Sequence, residues 1–268
     1  METAMLSIEE IINRIKENHG QNTTSNPISY KCPRCHDLGL WERQRDDGYT
    51  EWVKCECQRV REAEQRLERS GLSAEIAEKK FKTFKVETEW QRAMYDTAIE
   101  YGKAYFEAKE NGGKLPWFFI AGQPGCGKTH ICTALCDVML KKEIPVYYMQ
   151  WITESRRLRA IVNDPAFDSM LWQYTDIDIL YIDDLFKQQG HKDIIVTDAE
   201  VKVLFEILNA RYIQNKATII STEWFLEEEL MNVDDGTFSR VYERSKGFTV
   251  TIGREKDRNY RISGKESA

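Results

Sequence analysis

The octapeptide Gly122-Gln123-Pro124-Gly125-Cys126-Gly127-Lys128-Thr129 constrains this chain more than any other feature. It has the spacing G-x-x-x-x-G-K-[ST]. An apolar run, residues 117–121 (WFFIA), enters it, and a helical pattern over residues 130–141 leaves it. Strand, glycine-rich loop and helix in that order form a phosphate cradle. Glycines let the backbone wrap closely, so that several N–H groups point at a β-phosphate. The start of the helix adds its partial positive charge. Lys128 is then expected to reach the β- and γ-phosphates and Thr129 to offer its hydroxyl to Mg2+. Residues 122–129, with His130 just beyond, are the expected nucleotide-binding set. The alternative is an ordinary glycine-rich turn.

From this loop onward, apolar runs of strand length alternate with helical patterns. The runs cover residues 117–121, 146–151, 179–182, 218–221 and 248–252. Near-continuous apolar strands separated by helices indicate a parallel sheet covered on both faces. The third run ends in Asp183-Asp184, at the strand end where open parallel sheets bind ligands. Asp183 is expected to hold Mg2+ through water and Asp184 to polarise the attacking water. The short Asp184 predicts slow hydrolysis; helix-capping acids are the alternative. The fourth run ends in Ser221-Thr222-Glu223, where a polar side chain could sense hydrolysis. Arg240 and Arg244 share a helix face at i, i+4. They suit a cation presented to a neighbour's γ-phosphate, or else a salt-bridged surface helix. Arg261 follows the last run and could close over the nucleotide of its own subunit.

These parts, in this order, resemble an AAA+ ATPase, and more narrowly the bacterial and phage helicase loaders of the DnaC/DnaI type. The features that carry the resemblance are GQPGCGKTH, LYIDDL, residues 205–223 (FEILNARYIQNKATIISTE) and SRVYERSKGFTVTIG ending in NYR. It spans about residues 70–263. It implies an αβα core with a five-stranded parallel sheet and no helical lid, preceded by a small zinc-binding domain. It implies ATP and Mg2+ as ligands, Thr222 as the strand-end sensor, Arg244 as the finger acting in trans, Arg240 as its neighbour and Arg261 as a second sensor. Glu223 stands where many relatives have Asn. The implied partners are a DnaB-type replicative helicase hexamer, single-stranded DNA and further copies of the chain in a ring or spiral. Transposition helpers of the IstB type share the core and are the alternative. A nucleotide-binding adaptor that barely hydrolyses ATP is a third class.

Upstream, Cys32-Pro33-Arg34-Cys35 and Cys55-Glu56-Cys57 bracket a hairpin-like stretch containing Asp47-Gly48. Two close cysteine pairs around a hairpin build a structural Zn2+ site. Free thiols or a redox pair are the alternative. So small a module cannot bury a core, so metal would supply its folding energy. In the resembling loaders such a region serves helicase docking. Of the remaining cysteines, Cys126 lies in the phosphate loop, and Cys132 and Cys136, at i, i+4 on the helix that follows, are expected in the core, with metal binding as the alternative.

The expected domains are residues 1–58 (an amphipathic helix over 6–18, a polar linker over 20–29 and the cysteine module), a helical linker over 59–87, and the ATPase over 88–268. The net charge of −6 means that nucleic-acid contact must use a local patch. Arg156, Arg157 and Arg159, followed by Trp172 and Tyr174, are the candidate single-stranded DNA surface, against the alternative of a solvated helix face. The polar stretch 187–193 after the acids is a candidate contact or switch loop. With no signal-peptide core, no apolar run long enough for a bilayer and an odd cysteine count of seven, a cytoplasmic protein is expected.

Overall fold

A computed structural model describes residues 32–45, 48–55, 57–58, 65, 68, 71–72, 78–162, 164–187 and 196–260. The expected helix over 6–18, the linker over 20–29 and Arg261 lie outside these residues, as do most of residues 59–77 in the helical linker and residues 188–193 of the candidate switch loop. The chain divides into two compact units, residues 1–59 and 60–268.

In the first unit, β1 (Leu40–Gln44) pairs antiparallel with β2 (Thr50–Lys54), Leu40 opposite Lys54 and Gln44 opposite Thr50. Gly48 sits at φ +84° in the connecting turn, a backbone region that glycine enters without a steric cost.

The second unit is a parallel sheet with helices on both faces. Its elements are α1 (Glu89–Glu110), β3 (Phe118–Gly122), α2 (Lys128–Lys141), β4 (Val146–Gln150), α3 (Trp151–Ala160), α4 (Ala166–Asp176), β5 (Ile179–Leu185), α5 (Asp198–Ile213), β6 (Ala217–Thr222), α6 (Asp235–Arg244) and β7 (Thr249–Ile252). The strand order is β4-β5-β6-β3-β7, with every pair parallel. Side chains alternate across a strand, so each apolar run feeds two cores. Phe118 and Ile120 of β3, with Tyr181 of β5 and Ile219 of β6, pack under α1 and α2. Phe119 and Ala121, with Leu180, Ile182 and Ile220, pack under α3, α4, α5 and α6. Because both faces are covered, the strands read as unbroken apolar runs rather than as alternation.

Capping boxes open α1 and α5. Thr88 and Gln91 open α1, the Thr88 N–H donating to Gln91 Oε1 at 2.8 Å. Thr197 and Glu200 open α5, the Glu200 N–H donating to Thr197 Oγ1 at 3.3 Å. Each box satisfies backbone donors that a helix start leaves orphaned. Residues 60–87 fall in the second unit, where Leu72 is fully buried and Phe81 and Phe84 pack on the α1/α2 core. The stretch expected as a linker thus contributes apolar side chains to the ATPase body.

Arg211 of α5 is the largest feature that the sequence did not announce. It is fully buried. Its guanidinium donates to the Tyr174, Ile177 and Asp178 carbonyls at 2.8, 2.9 and 3.2 Å, to Thr218 Oγ1 at 3.0 Å, and to the Ala217 carbonyl. These carbonyls belong to the end of α4, the turn into β5 and the start of β6. One planar cation therefore closes three chain ends that would otherwise bury unpaired acceptors.

Candidate functional site

The phosphate loop joins β3 to α2. Gly127 sits at φ +93°, and a Cβ there would stand 3.1 Å from the Phe84 ring. Helix α2 begins with no side-chain cap, so its first N–H groups remain available to an anion. Lys128 is buried, and its Nζ donates to the Gly122 and Gln123 carbonyls at 2.7 and 3.0 Å. The ammonium is thereby held across the loop where a phosphate would lie. Gln123 Nε2 donates to the Glu255 carbonyl at 2.7 Å, fastening the loop to the segment after β7. Cys126 turns away into the core, where burial pushes its thiol pKa up, so this residue offers the loop only its backbone.

Pro124, Gly125, Gly127, Lys128, Thr129, His130, Asp183 and Asp184 line one cleft of about 400 Å³. Asp183 lies two residues before the end of β5, with its carboxylate gripped from several sides. Tyr181 OH donates to Oδ1 at 2.7 Å, Tyr148 OH to Oδ2 at 2.9 Å, and Ser221 Oγ to Oδ1. Thr129 Oγ1 stands 3.4 Å from Oδ1, so the hydroxyl and carboxylate expected to serve Mg2+ already face each other. An oxygen-only pair of this kind suits a hard cation that keeps several waters. The acid–hydroxyl pair and the cradle together fit Mg2+ with a bound triphosphate.

Asp184 follows at φ +54°, and the β5/β6 register slips between Ile182 and Leu185. The irregularity interrupts pairing with β6 at the two acids, while Asp183 stays in register with Gln150 of β4. It also sets the Leu185 carbonyl against the end of the next strand. Thr222 is fully buried; its Oγ1 donates to the Leu185 carbonyl at 2.8 Å and accepts the Trp224 N–H at 3.1 Å. The expected sensor is thus a cap that shapes the turn, with its hydroxyl directed away from the cleft. Ser221 and Glu223 hold the positions facing the acids: Ser221 Oγ contacts Asp183 and accepts the Asp184 N–H at 3.2 Å, while Glu223 lines the cleft.

The opposite wall comes from the lead-in segment and from the residues after β7. His130 Nε2 lies 2.9 Å from the Lys80 carbonyl and 3.3 Å from Thr83 Oγ1, with its ring edge-on to Phe84 at 5.2 Å. Burial lowers the His130 pKa, so the ring is neutral at pH 7 and acts as a tie between α2 and residues 80–84. Lys79 and Tyr260 border the cleft, and the Tyr260 N–H donates to the Gly125 carbonyl at 3.1 Å.

The arginines separate. Arg244 is buried; it donates to Asn215 Oδ1 and the Tyr212 carbonyl, both at 2.9 Å, and to the Leu115 carbonyl at 3.3 Å, and it lies over the Tyr212 ring. The residue expected as the finger therefore has its guanidinium folded into its own domain. Arg240, one turn earlier, is half-exposed, over the Phe205 and Tyr212 rings at 5.7 Å each. On α3, Arg156 and Arg157 are exposed; Arg157 pairs with Glu154 at 2.8 Å, and Arg159 reaches Glu200 at 3.7 Å. Trp172 is 64% exposed, whereas Tyr174 is fully buried with its OH donating to Glu154 Oε2 at 2.7 Å. Of the two aromatics expected to stack on bases, only Trp172 is placed to do so.

In the first unit, the sulfurs of Cys32, Cys35, Cys55 and Cys57 all lie within 4.8 Å of one another. Two edges are 3.7 Å (Cys32–Cys55) and 3.3 Å (Cys35–Cys57). Four thiolates about 2.3 Å from a tetrahedral Zn2+ stand roughly 3.8 Å apart, so the set fits that ion. The Gly39 N–H donates to Cys35 Sγ at 3.3 Å, an orienting contact of the kind that supports metal thiolates. Backbone N–H groups at Cys35 draw the Cys32 thiol down to about 6, while contact with the Cys35 thiol pushes Cys57 up to about 12. Thiols this close resist ionising together unless a cation joins them.

The sheet order, the loop and the acids define a P-loop ATPase domain of the AAA+ type. Residues 104–241, just over half of the chain, match the family described as IstB-like ATP binding protein, and the chain belongs to that family. It is 28% identical over 268 residues to the phage-like element PBSX protein XkdC of Bacillus subtilis (strain 168), covering 96% of this chain and 98% of that protein. Among solved structures, the DnaC helicase loader shares the fold with a TM-score of 0.55 at 20% identity, over 66% of this chain and 98% of that one. DnaI shares it with a TM-score of 0.53 at 17% identity, over 67% and 93%. Among the described residues, no helix is long and apolar enough to cross a membrane.

Proposed function

We propose that the chain is an ATP-dependent loader that delivers a hexameric replicative helicase of the DnaB type onto single-stranded DNA. The observation that carries this reading is a four-thiol module on the same chain as an ATPase body of the IstB and DnaC type. The similarity to PBSX XkdC runs through both parts. An IstB-type transposition helper would use the same ATPase body, and such helpers usually lack the cysteine module.

In this reading the triphosphate displaces the Gly122 and Gln123 carbonyls from Lys128. Thr129 Oγ1 and Asp183 would hold Mg2+, which would supply positive charge against the charge developing on the transferred phosphoryl group. Asp184 polarises the attacking water. Arg156 and Arg157 track DNA phosphates beside Trp172, and Arg240 faces a neighbouring copy. A pull-down of the full chain with the replicative helicase of its host tests the assignment. Stable capture is expected, lost when Cys32→Ser unfolds the module; capture of a transposase in place of the helicase would refute it.

The module also predicts metal content. Protein purified without chelator is expected to carry about one zinc per chain, as one four-thiolate site requires. Cys57→Ser should lose the metal and leave ATP binding by the second unit unchanged. Elemental analysis beside a nucleotide titration checks both parts.

A further inference from the structure

We propose that Lys187 is a cation that reads the γ-phosphate, tethered by Glu223 and released from Asp184 when a triphosphate enters. This rests on the nucleotide cleft described above and adds a residue that neither the loop nor the acids supply. The backbone brings the three groups together. The Lys187 N–H donates to the Asp184 carbonyl at 3.0 Å, so the chain turns back on itself just beyond the bulge. Lys187 Nζ then lies 2.7 Å from Asp184 Oδ2 and 3.6 Å from Glu223 Oε1. All three side chains line the cleft that holds Lys128 and Thr129.

The state of Glu223 is the informative part. Its Oε1 is buried and accepts no hydrogen bond, since 3.6 Å to Lys187 is an ion pair beyond hydrogen-bond reach. A carboxylate in that position adds negative charge where a triphosphate must enter, and among the described residues the cation paired with it is Lys187. Thr222 fixes the turn, so Glu223 stays directed into the cleft. A lysine has a flexible four-carbon stem and three donors, so it can keep one donor on Glu223 while another moves to a phosphate oxygen. With no γ-phosphate, as in the ADP state, Lys187 stays on Asp184 and neutralises the acid that must polarise water. With ATP, the γ-phosphate draws the ammonium off and Asp184 is freed. Water activation is thereby tied to the triphosphate.

The test compares ATP and ADP affinities by titration with fluorescent analogues of each. Lys187→Gln is expected to weaken ATP about tenfold or more, the loss of one charge-assisted bond, with ADP within about twofold. Lys187→Arg should retain most of the preference for ATP. Glu223→Gln added to Lys187→Gln should recover part of the ATP affinity, because it removes the uncompensated carboxylate. Equal losses for ATP and ADP, an unchanged ATP affinity, or no recovery in the double variant would each overturn the proposal. Lys128→Ala, run alongside, should lose both nucleotides; if it loses neither, the cleft reading fails, independently of Lys187.

Discussion

Lys128→Ala is expected to bind ATP about a hundredfold to ten-thousandfold more weakly than the parent and to show no measurable hydrolysis. The ammonium already lies across the loop on two carbonyls at 2.7 and 3.0 Å, so a phosphate needs only to exchange those acceptors for its own oxygens. Charge-assisted hydrogen bonds contribute about 1.5–3 kcal/mol each, and every 1.4 kcal/mol is about tenfold in affinity. Two such bonds to the β- and γ-phosphates account for the expected factor. The fold should survive, because the freed carbonyls lie at the end of β3 and the start of the loop, and neither residue belongs to the two apolar cores. Isothermal titration with ATP, beside a thermal melt, separates lost binding from lost structure. An affinity within tenfold of the parent at an unchanged melting temperature would remove the phosphate loop from the mechanism.

The parts of this site that the sequence made legible are those carried by backbone. A glycine spacing specifies a loop, and an interior parallel strand must be apolar on both faces. The five strand expectations therefore match β3 to β7 to within a few residues at each end. Parts that depend on where a side chain points after an irregularity were not legible. Ser221, Thr222 and Glu223 are all polar; alternation along β6 separates Thr222 from its neighbours, and the slipped register between Ile182 and Leu185 sets the Leu185 carbonyl against the Thr222 hydroxyl. Nothing in the spacing of Arg211 marks it as buried, since its acceptors are carbonyls from three separate elements. The same holds for Tyr174, whose partner Glu154 lies on the preceding helix. A polar side chain is silent in sequence about whether its partner is water or protein.

The arginines of α6 yield the second large effect. Arg240→Ala is expected to bind ATP normally and to lose about 10³-fold in hydrolysis by the assembled protein, the scale of a missing arginine finger. Arg244→Ala should instead lower the melting temperature, because it strips donors from Asn215, Leu115 and Tyr212 around a buried site. Removing one partner so that buried acceptors go unpaired costs about 1–3 kcal/mol. Mixing makes the distinction sharp. A Lys128→Ala subunit holds no nucleotide but still presents Arg240; an Arg240→Ala subunit holds nucleotide but presents no cation. Each alone should be inactive, and together they should recover activity at the one interface where both parts are intact. The recovery should grow with protein concentration, since the site exists only between copies. If Arg244→Ala is complemented in this way and Arg240→Ala alone hydrolyses like the parent, the roles are reversed. Arg244 would then have to leave its pocket on assembly, breaking its contacts to Asn215 and Tyr212, and the interface would supply the compensating bonds.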